Sequence, residues 1–135
     1  MNSSLANTAS GVFLDANILI EILLDRNKSH IARKILEEQK GNLCISSLTA
    51  HLAVYFGSKI VDLPVLRQFL ADYTILALEA PDFEWAFMNV RGSDFEDALQ
   101  LGVAIRHGCE RFVTFDKTLC NLYKNLPAIK IELAR

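Results

Sequence analysis

Residues 11–20 read GVFLDANILI, an apolar run that is interrupted by one acid, Asp15. The residues before Asp15 are typical of a buried β-strand, and the apolar spacing from Ile18 to Leu24 is typical of a helix. A strand that ends on an aspartate presents it at the carboxyl end of the strand, where parallel α/β sheets hold their sites. The run therefore predicts an α/β domain with Asp15 at its functional edge.

Two later segments carry further acids in comparable positions. Residues 112–116 read FVTFD, a second strand candidate that ends on an acid, and residues 93–99 read SDFEDAL, the start of a helix with two aspartates one turn apart. In a right-handed βαβ sheet the helix N-termini and the strand C-termini lie at one edge. We therefore expect four acids to converge there: Asp15, Asp94, Asp97 and Asp116.

The whole chain alternates between short strand-like and helix-like segments. The strand candidates are residues 11–15, 43–45, 73–78, 112–116 and 129–133, and the helix candidates are residues 18–24, 30–39, about 50–57, 62–72, 81–88, 93–107 and 117–123. Such alternation predicts a three-layer α/β/α domain with a mostly parallel five-stranded sheet. Periodicity alone leaves the strand order open.

Two local features of the helices give more specific expectations. Ser93 and Glu96 have the spacing of a capping box at the start of the helix over residues 93–107. The helix over residues 50–57 is apolar on most sides, so we expect it to be buried.

Length and composition favour one domain without a membrane span. The chain has 135 residues, of which 51% are hydrophobic, but charges interrupt every apolar run before the roughly 18 residues that a span requires. We expect one domain over residues 11–135 after a loose tail at residues 1–10, which has neither the basic nor the apolar region of a secretory signal. An odd number of scattered cysteines, Cys44, Cys109 and Cys120, favours reduced thiols and a cytoplasmic location over disulfides or zinc.

The charge balance limits how the protein could bind nucleic acid. A formal net charge of −2 excludes a basic surface over the whole molecule, so any such contact needs a local patch. The densest basic segment contains Arg26, Lys28 and Arg33, which we consider as RNA-binding residues. The alternative is an ordinary solvated helix face.

The clustered acids indicate a metal site, although each acid has a simpler explanation. Asp15 could be only a helix cap, Asp94 only a partner of the helix dipole, and Glu96 only a member of the capping box. Asp97, however, lies a turn inside a largely apolar helix, where a carboxylate needs a partner. Three ionised carboxylates about 5 Å apart at an effective dielectric constant of about 20 repel pairwise by roughly 3 kcal/mol, which a raised pKa or a cation must relieve. Oxygen ligands alone select Mg²⁺ or Mn²⁺.

The same motifs, in this order and spacing, carry a family resemblance. VFLD15AN17IL, D94FED97AL and VT114FD116 resemble a PIN domain, in particular the VapC-like toxins, from Val12 to Leu133. The resemblance implies a sheet of order 3-2-1-4-5, metal-dependent endoribonuclease activity on RNA, and a homodimer neutralised by an antitoxin. It also implies roles for six residues: metal-binding and catalytic acids at Asp15, Asp97 and Asp116, an auxiliary catalytic acid at Asp94, and ligand-orienting side chains at Asn17 and Thr114.

The chain departs from the PIN pattern at one position. PIN proteins usually carry a glutamate on the helix after the second strand, but no acid occurs here between Glu38 and Asp62, and the position falls near Leu52. His51 or Glu21 could substitute, although a surface histidine and a solvated helix charge are the alternatives. With one acid fewer, metal affinity and activity should fall.

Three functions are consistent with these features. A divalent-metal ribonuclease, the toxin of a toxin–antitoxin pair, accounts for the gathered acids. A catalytically weakened or inactive PIN fold that acts as a binding module accounts for the missing glutamate. A phosphoryl-handling α/β domain ranks last, because Asp15-Ala16-Asn17 matches neither the paired acids of receiver modules nor the Asp-x-Asp of haloacid-dehalogenase-like enzymes.

Overall fold

A computed structural model describes residues 11–135, and the predicted loose tail at residues 1–10 lies outside the described residues. Five strands alternate with helices. The strands are β1 (Val12–Leu14), β2 (Leu43–Ser46), β3 (Thr74–Leu76), β4 (Arg111–Thr114) and β5 (Lys130–Leu133). The helices are α1 (Ala16–Leu23), α2 (Ser29–Glu38), α3 (Ser47–Gly57), α4 (Leu63–Leu70), α5 (Ala80–Asn89), α6 (Phe95–Arg106) and α7 (Lys117–Tyr123).

The strands form one sheet in the order β3-β2-β1-β4-β5, and every pair is parallel. The order implied by the family resemblance is therefore confirmed, and the sheet is parallel throughout rather than mostly. In β1, Val12 pairs with Leu43 of β2 on one side and with Arg111 of β4 on the other. The strand that ends on Asp15 is thus the centre of the sheet.

Helices cover both faces of the sheet because β1 is apolar on both. Val12 and Leu14 pack with Ile18 and other side chains of α1 to α4, whereas Phe13 packs against α6 and α7 on the opposite face. The Phe13 ring stacks on Phe112 of β4 with the ring centroids 5.2 Å apart. Successive strand residues point to opposite faces, so a wholly apolar strand requires a helical layer on each side.

Helix α6, which carries Asp97, is held closely against α5. Arg106 near its end donates from Nε to Oδ1 of the buried Asp82 at 2.7 Å and from Nη2 to Oδ2 at 3.0 Å. Gly102 allows the close approach, since a Cβ there would lie 3.3 Å from the Asp82 carbonyl oxygen. This packing fixes the direction in which the first turn of α6 faces.

Two local expectations about the helices are wrong. The N-cap of α6 is Asp94, which accepts a hydrogen bond from the Asp97 amide, so Ser93 and Glu96 form no capping box. Helix α3 is not buried on most sides, because it packs through one stripe of residues at i, i+4 and i+8. Tyr55 on its outer side is 52% exposed.

Between residues 11 and 135, no helix combines the length and the apolar character that crossing a membrane requires. Cys44, Cys109 and Cys120 are free thiols, the first two buried in the core.

Candidate active site

Asp15 is the buried centre of the site. It directly follows β1 and caps α1, and it is 5% exposed. Its Oδ1 accepts a hydrogen bond from the Ala16 amide at 2.8 Å, and its Oδ2 accepts one from the Thr114 hydroxyl at 2.8 Å. The register of β1 with β4 brings Thr114 to this position, because Leu14 pairs with Val113.

Asn17 and Thr114 connect Asp15 to the end of β4. The Asn17 amide nitrogen donates to Asp15 Oδ2 at 3.3 Å and to the Thr114 hydroxyl at 3.1 Å, and its carbonyl oxygen accepts from the Phe115 amide at 3.1 Å. The Thr114 hydroxyl also accepts from the Asp116 amide at 3.0 Å. These bonds hold the ends of two neighbouring strands together and fix the orientation of the Asp15 carboxylate.

Asp94 and Asp116 each cap a helix at the same edge. Asp94 Oδ1 accepts from the Asp97 amide at 3.3 Å, and Asp116 Oδ1 accepts from the Leu119 amide at 3.1 Å at the start of α7. In each cap, one carboxylate oxygen accepts a backbone hydrogen bond and is therefore less available to bind a metal ion. Capping therefore explains part, but not all, of why acids occupy these positions.

The electrostatics show that the acids share one environment. Burial raises the pKa of Asp97 to about 7, and the charges of Asp15, Asp94, Asp116 and Glu96 add to the rise. Burial also raises the pKa of Asp15 to about 6, although hydrogen bonds from Thr114 and the Ala16 amide oppose the change. The ionised forms are disfavoured in the folded protein because little water and several like charges surround them.

The chemistry of the gathered side chains suits a hard divalent cation, but their arrangement does not form a complete ion-binding group. The residues brought together offer carboxylate, hydroxyl and amide oxygens, which Mg²⁺ and Mn²⁺ prefer, and a cation would relieve the repulsion that adds to the effect of burial on the two pKa values. Within residues 11–135, however, no three acidic, histidine or cysteine side chains stand close enough together to hold an ion.

The position of the missing glutamate stays without an acid. Leu52 is half-buried on α3. His51 is exposed and its ring lies 6.4 Å from that of Tyr55 on the outer side of the helix. Glu21 accepts a hydrogen bond from the Lys28 amide at 2.9 Å, which gives it a structural role in the loop after α1.

A buried polar pair beside the acids was missed at the level of sequence. Gln100, 1% exposed, donates from Nε2 to the Thr49 hydroxyl of α3 at 2.8 Å, and no donor in the described part of the chain reaches its Oε1. Gln100 follows Asp97 by three residues, so the two share a helix face. The sequence did indicate this residue, because a glutamine among the apolar residues of α6 needs a hydrogen-bond partner as much as Asp97 does.

The predicted basic residues separate into two locations. Arg26 and Lys28 line a cleft of about 380 Å³ whose other walls include Asn17 and Phe115. Arg33 lies elsewhere, in a groove with Leu43 and Tyr73 at the amino ends of β2 and β3. The first two basic residues thus adjoin the acids, and Arg33 belongs to the opposite edge of the sheet.

Comparison with known sequences decides the family. The sequence model of the PIN domain matches residues 12–125, which span every acid of the site. The chain belongs to the PIN domain family. No curated protein sequence matches this PIN domain.

Solved structures share the fold of this PIN domain at low sequence identity. A chain of a toxin–antitoxin complex from Klebsiella pneumoniae is 22% identical with a TM-score of 0.71, over 89% of this chain and 95% of that one. A chain of DNA-bound VapBC from Salmonella typhimurium is 20% identical with a TM-score of 0.66, over 91% and 97%. A chain of VapBC2 from Rickettsia felis, bound to a promoter DNA fragment, is 19% identical with a TM-score of 0.65, over 92% and 98%.

Proposed function

We propose that this PIN domain is a metal-dependent endoribonuclease that hydrolyses RNA phosphodiesters with Mg²⁺ or Mn²⁺, and that it is the toxin of a toxin–antitoxin pair. The observation that carries the proposal is the shared environment of Asp15 and Asp97, whose pKa values rise to about 6 and about 7. A cation bound between such acids favours their ionised forms. The free thiols support a cytoplasmic location.

Asp15, Asp97 and Asp116 would hold the ion, and Asp94 would position the first turn of α6 through its bond to the Asp97 amide. A bound divalent ion supplies an activated water and stabilises negative charge on the scissile phosphate. Thr114 and Asn17 keep the Asp15 carboxylate oriented, so this ligand is ordered before binding. Asp97 would bind an ion in its ionised form, so metal affinity should increase as pH rises towards neutrality.

An RNA-cleavage assay tests the proposal. The purified protein should cleave single-stranded RNA in Mg²⁺ or Mn²⁺ and lose that activity in EDTA. Asp97→Asn should fold and lose cleavage, whereas Glu96→Gln is the matched control and should retain it, because Glu96 is exposed on the first turn of α6. Equal loss in both variants would contradict the assignment of Asp97 to the metal.

The proposal includes two protein partners, an antitoxin and a second copy of the chain. The shared fold with chains of toxin–antitoxin and VapBC complexes supports the antitoxin. Exposed apolar side chains on α5 support an interface, since Phe87 is 69% and Met88 86% exposed. Light scattering at micromolar concentration tests the homodimer, and a monomeric mass would contradict it.

A second candidate function is a PIN fold that binds without cleaving. Two observations favour it: no acid occurs near Leu52, the region of α3 where PIN proteins usually carry one, and no three acidic, histidine or cysteine side chains among the described residues form a group that could hold an ion. Binding of RNA without cleavage in either metal would support this alternative and overturn the nuclease.

A further inference from the structure

We propose that Arg26 and Lys28 form a phosphate-binding subsite for single-stranded RNA beside the acidic centre. The inference rests on the proposed action on RNA and adds where the strand runs next to the acids.

The cleft has the size of a small-ligand site. Its volume of about 380 Å³ falls within the range of roughly 300–1,000 Å³ typical of ligand pockets. Phe115 forms an apolar wall, and the Lys28 ammonium lies 5.2 Å from the centre of its ring. This cation–π contact keeps the charge of an otherwise exposed lysine at the cleft.

Hydrogen bonds fix the backbone of the loop between α1 and α2, so the positions from which the Arg26 and Lys28 side chains extend are defined. Glu21 accepts from the Arg26 amide through its carbonyl oxygen at 2.9 Å and from the Lys28 amide through its carboxylate at 2.9 Å. Asp25 has a φ of +47° and accepts from the Ser29 hydroxyl at 3.3 Å. A turn ordered before binding loses little entropy when it captures an anion.

The two cations are available to a ligand. Neither Arg26 nor Lys28 forms an ion pair with any acid between residues 11 and 135. Glu21 is the acid of the cleft, and the Lys28 amide already occupies one of its oxygens. The protein has a net charge of −2, so the attraction of a phosphate next to the acids would come from this local pair of cations.

The cleft is continuous with the acidic centre through one side chain. Asn17 lines the cleft and also donates to Asp15, and Phe115 lies between Thr114 and Asp116. An RNA strand whose scissile phosphate lies at the acids would therefore have this cleft next to it, open to a neighbouring phosphate. Two cations in a cleft of this size suit a single strand rather than a duplex, whose recognition extends over two successive grooves.

Binding of a fluorescent oligouridine, measured by anisotropy in EDTA at several salt concentrations, tests the subsite without cleavage. Arg26→Gln and Lys28→Gln should each weaken binding up to about fivefold, the upper end for an exposed charge pair. Each should also lower the slope of log affinity against log salt by roughly 0.7, the value for one phosphate contact on a single strand. Lys40→Gln, at the opposite edge of the sheet, is the matched control and should change neither quantity.

Unchanged slopes in both variants, or an equal loss in Lys40→Gln, would overturn the subsite. Uridine monophosphate in place of the oligomer separates a free nucleotide from a strand, and equally tight binding of the monomer would also overturn it. The nuclease is judged separately by cleavage in Mn²⁺. A protein that binds through Arg26 and Lys28 but does not cleave would keep the subsite and lose the proposed activity.

Discussion

Replacement of Asp97 by asparagine should stabilise the metal-free protein at neutral and higher pH. Burial and the neighbouring acids raise the pKa of Asp97 from the ordinary value of 3.8 to about 7. A carboxyl with a raised folded-state pKa makes its full contribution to stability below the unfolded-state pKa and loses it as pH rises through the folded-state pKa. Asparagine is neutral at every pH, so the free energy of unfolding of the variant does not fall through ionisation at position 97 as the pH rises.

The magnitude follows from the same pKa. A rise from 3.8 to about 7 corresponds to roughly 4 kcal/mol at 1.36 kcal/mol per pKa unit. Asp97 is only half-buried, and protonation of Asp15 relieves part of the repulsion, so we expect a gain of about 1–3 kcal/mol in the free energy of unfolding above pH 7. For a domain of this length, each kcal/mol corresponds to roughly 3–5 °C in Tm.

Urea unfolding of the wild type and Asp97→Asn in EDTA, followed from about pH 4 to about pH 8, measures the effect. The difference between the proteins should grow from near zero at the acidic end to its full value above pH 7, because the wild type loses stability within this window. A variant less stable than the wild type at pH 8, or a difference independent of pH, would refute the raised pKa and with it the clustering of the acids.

Three further changes test the site. Mg²⁺ or Mn²⁺ at 100 times its dissociation constant should raise the wild-type Tm by the equivalent of roughly 2.7 kcal/mol. The rise should be larger at pH 8 than at pH 5.5, because protons compete with the ion for Asp15 and Asp97. The absence of a shift at millimolar metal would argue against an ion site. Thr114→Val should raise the pKa of Asp15 further, because the buried carboxylate loses a hydrogen-bond donor. The variant should be less stable than the wild type by about 1–3 kcal/mol at pH 8 and by less at pH 5. Urea unfolding at the two pH values measures the difference, and unchanged stability would contradict it. Leu52→Glu should increase Mn²⁺ affinity in a calorimetric titration if the half-buried Leu52 faces the acids, whereas a destabilised protein with unchanged affinity would place Leu52 in the core.

The fold class and the edge of the sheet that carries the acids could be predicted from the sequence. Apolar runs that end on Asp15 and Asp116 identify parallel strands, because strand periodicity and burial are properties of a few consecutive residues. The capping-box pattern placed the start of α6 at Ser93, two residues before the observed start at Phe95, although the residue that caps the helix is Asp94. The strand order followed from the family resemblance, since periodicity carries no information about which strands are neighbours.

The tertiary structure alone decided what the gathered side chains do. How far the pKa of Asp97 rises and which buried hydroxyl accepts a hydrogen bond from Gln100 depend on atoms that are distant in the sequence. The basic residues show the same limit, because Lys28 and Arg33 are five positions apart and yet lie at opposite edges of the sheet. Local sequence determines the period and the ends of an element, whereas distances, dielectric environment and hydrogen-bond partners are set by the packing of elements against one another.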